Sequence, residues 1–171
     1  MMEKLLLVAL KAKFPALLAA HCDIPCGIYD PHHAQLAAHT VIRINMLIND
    51  LPKPGATDSP EKRQEYEHKL ARYTATKEQH AELCKSEVRI LWGDYFKPEH
   101  VQAHPNLHDL VWKAMKSASK ARQEVNLAAA EDLLKTVNEI AGVFWKTKGK
   151  DTVSVKAAYP TERELVVPKL G

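Results

Sequence analysis

The sequence contains little of what several protein classes require. Its 171 residues include three cysteines, a small and odd number that argues against the disulfide framework of a small secreted protein. The net charge of +3 is too small and too scattered to indicate a nucleic-acid-binding surface. The longest apolar run, Leu5 to Leu10, is far too short to span a membrane. We therefore expect neither a nucleic-acid partner nor a membrane span.

What the chain does contain is enough apolar material for one domain. Hydrophobic residues make up 46% of the sequence and the mean hydropathy is -0.32, values typical of a soluble globular protein. Cys84 lies on a helical pattern with Val88 and Leu91. We interpret it as a small core residue rather than a ligand.

Four stretches place apolar residues at the spacing of an α-helix. Two of them have clear start signals, because Asp30-Pro31 and Ser59-Pro60 each place a capping residue before a proline. No stretch alternates apolar and polar residues long enough to predict a strand. Residues 31–148 are therefore predicted to form an all-α, antiparallel four-helix bundle. The predicted helices begin near residues 31, 60, 106 and 125 and end near residues 48, 96, 121 and 146.

Both ends of the chain differ from this helical region. Residues 1–20 are basic and apolar, but Lys11 and Lys13 interrupt the apolar run that a secretory signal requires. We interpret them as a leader removed from a cytoplasmic protein, with export or an organellar destination as the alternative. Residues 149–171 have no helical period and are predicted to be an extended or mobile C-terminal extension.

The most reactive side chains lie directly after the leader, in the segment HCDIPCGIYDP at residues 21–31. If cleavage makes His21 the first residue, its free amine becomes a ligand. With the amide nitrogen of Cys22 and the thiolates of Cys22 and Cys26, it forms a nearly planar set of two nitrogens and two sulfurs. Such nitrogen donors favour Ni(II) or Cu(II), whereas soft thiolates favour Cu(I) and zinc. The anionic amide tips the choice toward nickel, with the His21 imidazole as a fifth, axial ligand.

Less specific interpretations of the same residues exist. Two cysteines four positions apart are also found in zinc half-sites and labile disulfides, so a non-enzymatic zinc- or copper-binding protein or a thiol redox sensor is the rival function. His100, His104 and His108 are spaced four apart but border a proline, and we interpret them as surface residues. Gly27 suits a sharply bent segment because glycine tolerates unusual backbone angles.

The segment HCDIPCGIYDP closely resembles the nickel hook of nickel-dependent superoxide dismutases. A second stretch, LWGDYFKPEH at residues 91–100, resembles the W-x-D-Y-F-K-P-x-H segment of the same family. A third, IAGVFWKTK at residues 140–148, is similar to the C-terminal helix of that family. The resemblance covers residues 21–148 and leaves the leader and the C-terminal extension outside.

The resemblance implies a specific activity and assembly. It implies that superoxide is converted to oxygen and hydrogen peroxide by cycling between Ni(III) and Ni(II), with one nickel ion per subunit. It also implies a homohexamer of four-helix bundles and a dedicated maturation peptidase that removes the leader. By position, the hook would be residues 21–30 and its nickel ligands His21, Cys22 and Cys26.

The resemblance further assigns residues around the metal. Tyr29 matches a hook tyrosine that guards access to the metal, Tyr95 matches a second tyrosine near it, and Asp23 matches the hook aspartate. In well-known members a glutamate and an arginine steer the axial imidazole, and here Ala37 and His80 occupy the corresponding positions. Because partners of this kind fix ligand orientation, we expect His80 to be the remaining polar neighbour of the His21 imidazole.

Overall fold

The computed structural model describes residues 26–169, and this part of the chain is mostly helical. His21, Cys22 and Asp23 lie outside the described residues. No helix within residues 26–169 is long and apolar enough to cross a lipid bilayer. The helices are α1 (His32–Asn49), α2 (Pro60–Ile90), α3 (Pro98–Ala103), α4 (Leu107–Gln123) and α5 (Leu127–Thr147), and a π-helical turn (Leu91–Tyr95) follows α2 directly.

The two helix starts with clear sequence signals form close to the predicted positions. Ser59 caps α2 by accepting a hydrogen bond from the backbone N–H of Lys62 at 3.4 Å. In α1 the helix begins one residue later than predicted, because Pro31 occupies the cap position. Asp30 still satisfies a free backbone donor, since its Oδ1 accepts from the N–H of His32 at 2.7 Å.

The region between α2 and α4 differs from the prediction of one unbroken helix to residue 96. The α-helical hydrogen bonding stops at Ile90, and Leu91–Tyr95 form a π-helical turn. This turn closes through a hydrogen bond from the Phe96 N–H to the Leu91 carbonyl at 3.0 Å. The short helix α3 then begins at Pro98, which suits a first helical position.

The four long helices share one hydrophobic core. Helix α1 packs against α2 and α5, and α4 packs against the same two helices. Small side chains allow this close approach, and Ala34, Ala38, Ala81 and Ala118 are fully buried. The core position predicted for Cys84 is confirmed, since it is fully buried and desolvation raises the pKa of its thiol to about 12.

A buried lysine closes the C-terminal end of α4. Lys77 is 2% exposed, and its Nζ donates to the carbonyls of Ala121, Arg122 and Glu124 at 2.8, 2.8 and 2.6 Å. The last carbonyls of a helix carry partial negative charge and lack partners within the helix. The ammonium group supplies both hydrogen bonds and charge there, although burial lowers the pKa of Lys77.

The chain ends in a β-hairpin, so the expectation that no segment forms a strand is wrong. Strand β1 (Thr152–Lys156) pairs antiparallel with β2 (Glu164–Pro168), with Thr152 opposite Pro168 and Lys156 opposite Glu164. Strand β2 packs against α5, and Leu165 is buried. Each strand has only five residues, too few for alternation to stand out in the sequence. Contact with the helices stabilises what the local pattern leaves ambiguous.

Candidate metal centre

The described part of the hook runs from Cys26 to Asp30 and leads directly into α1. Cys26 is a free, exposed thiol. Gly27 has a φ of +73°, in the left-handed region that favours glycine, so the conformational role predicted for it is confirmed. A side chain there would meet no atom within 4 Å, so the requirement for glycine comes from the backbone angle rather than from crowding.

The structure brings together two tyrosines that the sequence separates widely. The rings of Tyr29 and Tyr95 lie with their centroids 5.4 Å apart and their planes inclined at 50°. Tyr95 also packs against Phe144, 4.6 Å away, and stacks on His100 at 5.6 Å. Both tyrosines are half-buried and border the hydrophobic core. The predicted site residues Tyr29 and Tyr95 therefore share one aromatic cluster. Within the hook, Tyr29 lies three residues after Cys26.

The π-helical turn determines how Tyr95 reaches this cluster. It stands between α2 and the extended backbone at Phe96, and it holds Trp92 partly exposed while Tyr95 turns toward Phe144. Single π-helical turns are rare and are often found at functional sites. The motif at residues 91–100 thus corresponds to a local change of helix geometry beside the hook.

A relay of hydroxyl groups determines the role of the Tyr95 proton. The Tyr95 and Thr147 hydroxyl oxygens are 2.7 Å apart, and the Thr147 hydroxyl donates to the Phe144 carbonyl at 2.7 Å. Because Thr147 has only one hydroxyl proton, Tyr95 must be the donor in the first of these bonds. The Tyr95 oxygen therefore offers lone pairs, and not its proton, to any further group. Sequence reasoning missed Thr147, and its position one turn after Phe144 was the available signal.

A positive charge lies over the same cluster. The Nζ atom of Lys148 is 4.8 Å from the centroid of the Tyr95 ring and 5.8 Å from that of Phe144. An ammonium group over an aromatic face is attracted by the ring quadrupole. It also makes the local potential more favourable for a small anion.

The two positions where the family resemblance predicted altered control are both described. Ala37 is buried in the core. His80 is half-buried, and its Nδ1 lies 2.9 Å from the Thr76 carbonyl, one turn earlier in α2. A carbonyl only accepts hydrogen bonds, so Nδ1 carries the proton and Nε2 of the neutral ring is an acceptor. This tautomer suits a partner that donates an N–H, as a coordinated imidazole does with its second nitrogen.

Of the histidines spaced four apart, His108 is exposed as predicted, whereas His100 and His104 are half-buried. Nδ1 of His108 accepts a hydrogen bond from the Trp92 indole at 2.9 Å, and Nδ1 of His100 accepts from the Lys97 N–H at 3.1 Å. Within residues 26–169, no group of three or more His, Cys, Asp or Glu side chains is arranged to hold a metal ion. Cys26 is the one predicted nickel ligand in this range, and an exposed free thiol directly before a left-handed glycine suits thiolate donation to nickel.

Comparison with known proteins gives one consistent family. The family model for nickel-containing superoxide dismutase matches residues 16–148. Relatives named nickel superoxide dismutase from Streptomyces coelicolor and Streptomyces seoulensis are 38% and 39% identical over 131 residues, which is 77% of this chain and 90% of each relative. A native nickel superoxide dismutase structure is similar with a TM-score of 0.63 and 38% identity, covering 75% of this chain and 99% of that one. A structure with nickel ligation corresponding to the oxidised state gives a TM-score of 0.64 with the same identity and coverage.

Proposed function

This chain belongs to the nickel-containing superoxide dismutases, and we propose that it binds its nickel ion through His21, Cys22 and Cys26. It is an oxidoreductase that acts on superoxide, and nickel is its cofactor. Support for the ligand assignment comes from the hook motif and from the free, exposed thiol of Cys26. The amine and imidazole of His21, the amide nitrogen and thiolate of Cys22, and the thiolate of Cys26 form the proposed donor set.

The reaction consumes two superoxide ions. One is oxidised to oxygen, and the second takes up an electron and two protons to become hydrogen peroxide. Bound nickel supplies the one-electron chemistry by alternating between Ni(III) and Ni(II), a change that thiolate and anionic amide donors bring within reach. The remaining tasks of admitting the anion, excluding larger molecules and guiding protons fall to the side chains around the hook.

We assign Tyr29 and Tyr95 to controlling access. Their rings lie side by side, with Tyr29 near the C-terminal end of the hook, so they narrow the approach to the metal. The Tyr95 hydroxyl donates a hydrogen bond to Thr147, and its oxygen can accept a hydrogen bond from water or from a protonated product. The ammonium group of Lys148 above the Tyr95 ring favours the approach of an anion. Asp23, beyond the described residues, is proposed to orient the hook itself.

We propose that His80 steadies the axial ligand in place of the glutamate and arginine of well-known relatives. The tautomer fixed by Thr76 leaves Nε2 of His80 able to accept an N–H from the His21 imidazole, directly or through water. Ala37 has no side-chain polar atom and is buried. His80 therefore carries this role alone in the proposal.

The finer architecture is also part of the proposal. We propose that the four long helices form an antiparallel four-helix bundle with a hook at residues 21–30, supported by the two helix neighbours that each long helix has. We further propose a homohexamer of such bundles. Trp92 and Trp112 are 44% and 64% exposed, and large exposed indoles are typical of surfaces that bind another protein. A maturation peptidase would remove residues 1–20.

Comparison of the cut and uncut chains tests the ligand assignment. The uncut chain should show no dismutase activity, because the His21 nitrogen is then part of a peptide bond and one ligand is lost. The chain beginning at His21 should bind one nickel ion per subunit and consume superoxide. Metal content by mass spectrometry and superoxide consumption are the measurements.

Two results would contradict the assignment. One is full activity in nickel-loaded, uncut protein. The other is zinc, or a disulfide without metal, in an inactive chain that begins at His21, which would favour the rival thiol or zinc function.

A further inference from the structure

The C-terminal hairpin lies outside the part of this chain that matches the family model. The family model ends at residue 148, and the similar structures cover 75% of this chain while 99% of their own length is matched. The hairpin follows α5 after Gly149, whose φ of +67° turns the chain back along the helices. It contacts helices α1 and α5 through defined polar groups.

Gln35 in α1 is the centre of these contacts. It is 1% exposed, and its Nε2 donates both to Oδ1 of Asn138 in α5 at 2.8 Å and to the carbonyl of Val166 in β2 at 3.0 Å. Asn138 then donates through Nδ2 to the Glu164 carbonyl at 3.0 Å. Two side chains thus tie α1, α5 and β2 together. Gln35 and Asn138 each form a hydrogen bond to a group on another element. A shift of α1, α5 or β2 would therefore break at least one buried or half-buried hydrogen bond.

His39, one turn after Gln35, makes a second attachment. It is 3% exposed, and its Nδ1 lies 2.7 Å from the hydroxyl of Thr161, which is 2% exposed. The Tyr159 ring packs edge-on against it at 5.1 Å. The segment between the two strands is therefore fixed against α1. A buried hydrogen bond such as that between His39 and Thr161 favours a single packing of the segment on the helix.

A third attachment holds the hairpin to α5. The guanidinium of Arg163 donates to Oε1 of Glu131 through Nε at 3.1 Å and also through Nη2, so two of its nitrogens share one carboxylate oxygen. Its Nη1 donates to the Thr161 carbonyl at 3.0 Å. Charge-assisted hydrogen bonds of this kind are stronger than neutral ones.

The two helices joined by the hairpin carry the two sides of the metal centre. Helix α1 begins two residues after Asp30, so Gln35 is about one turn from the end of the hook. Helix α5 ends with Phe144 and Thr147, which hold Tyr95 by ring packing and by a hydrogen bond. A brace between these helices therefore affects how the hook and Tyr29 sit against Tyr95.

We propose that the C-terminal hairpin, residues 152–168, is a positioning element that holds the metal hook against the Tyr95 cluster by bracing α1 to α5 through Gln35. The proposal rests on the hook being the nickel site. The hairpin's hydrogen bonds described above go to α1 and α5, so it acts on the hook through these two helices.

The test compares Gln35→Met with Gln64→Met in the chain that begins at His21. Methionine keeps the length of the side chain but removes both hydrogen bonds of Gln35. Gln64 is exposed in α2 and is the matched control. The nuclear Overhauser contacts between the Tyr29 and Tyr95 rings, measured without metal, should weaken in Gln35→Met and stay unchanged in Gln64→Met. With nickel bound, release of the ion to a chelator should speed up ~10–100-fold, the range for residues that orient metal ligands.

Three results separate this proposal from its alternatives. If the contacts between the Tyr29 and Tyr95 rings stay unchanged although the β1–β2 amides of Gln35→Met exchange faster with solvent, the hairpin has come loose without affecting the hook, and the proposal is wrong. A uniform rise in amide exchange over all helices would show a merely structural role and would also overturn it. If the parent protein binds no nickel, the proposed function fails, while the metal-free ring contacts still decide the positioning role.

Discussion

The hook and the C-terminal hairpin are built in opposite ways. In the described part of the hook, Cys26 is exposed and Ile28 is 74% exposed, while Tyr29 is half-buried against Tyr95. In the hairpin, Thr161 is 2% exposed and Leu165 is 6% exposed, and most of the attachments are hydrogen bonds to other elements. A metal ion reached by a small anion requires accessible donors, whereas a brace requires buried contacts. In the proposed arrangement, the exposed hook is therefore held in position by buried contacts in other parts of the fold.

The largest expected effect lies on the hook side. Replacing Cys26 with serine should abolish dismutase activity, because a hydroxyl cannot provide the thiolate donation that makes Ni(III) accessible. The loss should exceed the ~10–100-fold typical of residues that only orient ligands. The free energy of unfolding of the metal-free chain should change by no more than about 0.5 kcal/mol, since the side chain is exposed. Superoxide turnover and urea unfolding are the measurements, and near-normal turnover would disprove the assignment of Cys26.

A smaller effect is expected from His80. His80→Ala removes the proposed acceptor for the axial imidazole and should lower turnover ~10–100-fold while leaving the sulfur ligands in place. His68→Ala, at an exposed position of the same helix, is the control. The axial-nitrogen splitting in the electron paramagnetic resonance spectrum of the oxidised protein reports the ligand directly. If both turnover and this splitting stay unchanged, His80 has no such role.

The third prediction joins the two regions through α5. Thr147→Val removes the acceptor of the Tyr95 proton and should lower the free energy of unfolding by about 1 kcal/mol, the usual net contribution of one hydrogen bond. Turnover should change less than in His80→Ala. Thr147→Ser keeps the hydroxyl and should behave like the parent chain. Equal stability of the valine and serine variants would contradict the relay of hydroxyl groups.

The smallest effect on turnover is expected on the hairpin side, where stability depends on pH. Burial lowers the pKa of His39 below 6.5, and the positive charges of Arg163 and His32 lower it further, although the Glu164 backbone acts in the opposite direction. The unfolded chain therefore takes up a proton near pH 6.5 that the folded chain binds only at lower pH. Stability from this group is fully present above pH 6.5 and is lost as the pH falls toward the folded pKa.

This dependence can be isolated by substitution. Between pH 7 and pH 5 the loss should be no more than about 1.4 kcal/mol per pH unit. Urea unfolding of the parent chain and of His39→Gln at both pH values gives the contribution of this residue by difference. The same acid-dependent loss in His39→Gln would show that other groups cause it.

Local sequence was sufficient for several features because their causes are local. Ser59 before Pro60 produced a capped helix start, and Gly27 adopts the left-handed angle that its place in a bend indicated. Cys84 lies in the core as its helical stripe predicted. The helix ends were less exact, since the π-helical turn at Leu91–Tyr95 depends on packing around Tyr95 rather than on propensity.

Other features had no local cause to detect. Lys77 is an ordinary lysine in the sequence and becomes a buried helix cap only because α4 ends beside it. Thr147 becomes the partner of Tyr95 only when α5 and the π-helical turn meet. The sequence predicts an extended or mobile extension instead of a hairpin, because the strands are short and their stabilising contacts lie on α1 and α5.

The sequence by itself determined the chemistry of this protein. The donor types and their spacing in the hook, the two tyrosine motifs and the apolar periodicity of the helices are all properties of short segments, so they can be interpreted without coordinates. Only the folded structure decided which hydroxyl accepts the hydrogen bond from Tyr95, which nitrogen of His80 can accept a hydrogen bond, and where the C-terminal strands attach. The Tyr95 and hairpin contacts join residues that lie far apart in the chain, and the His80 contact requires the helical turn back to Thr76. Such pairs form because leaving a polar group buried without a partner costs free energy.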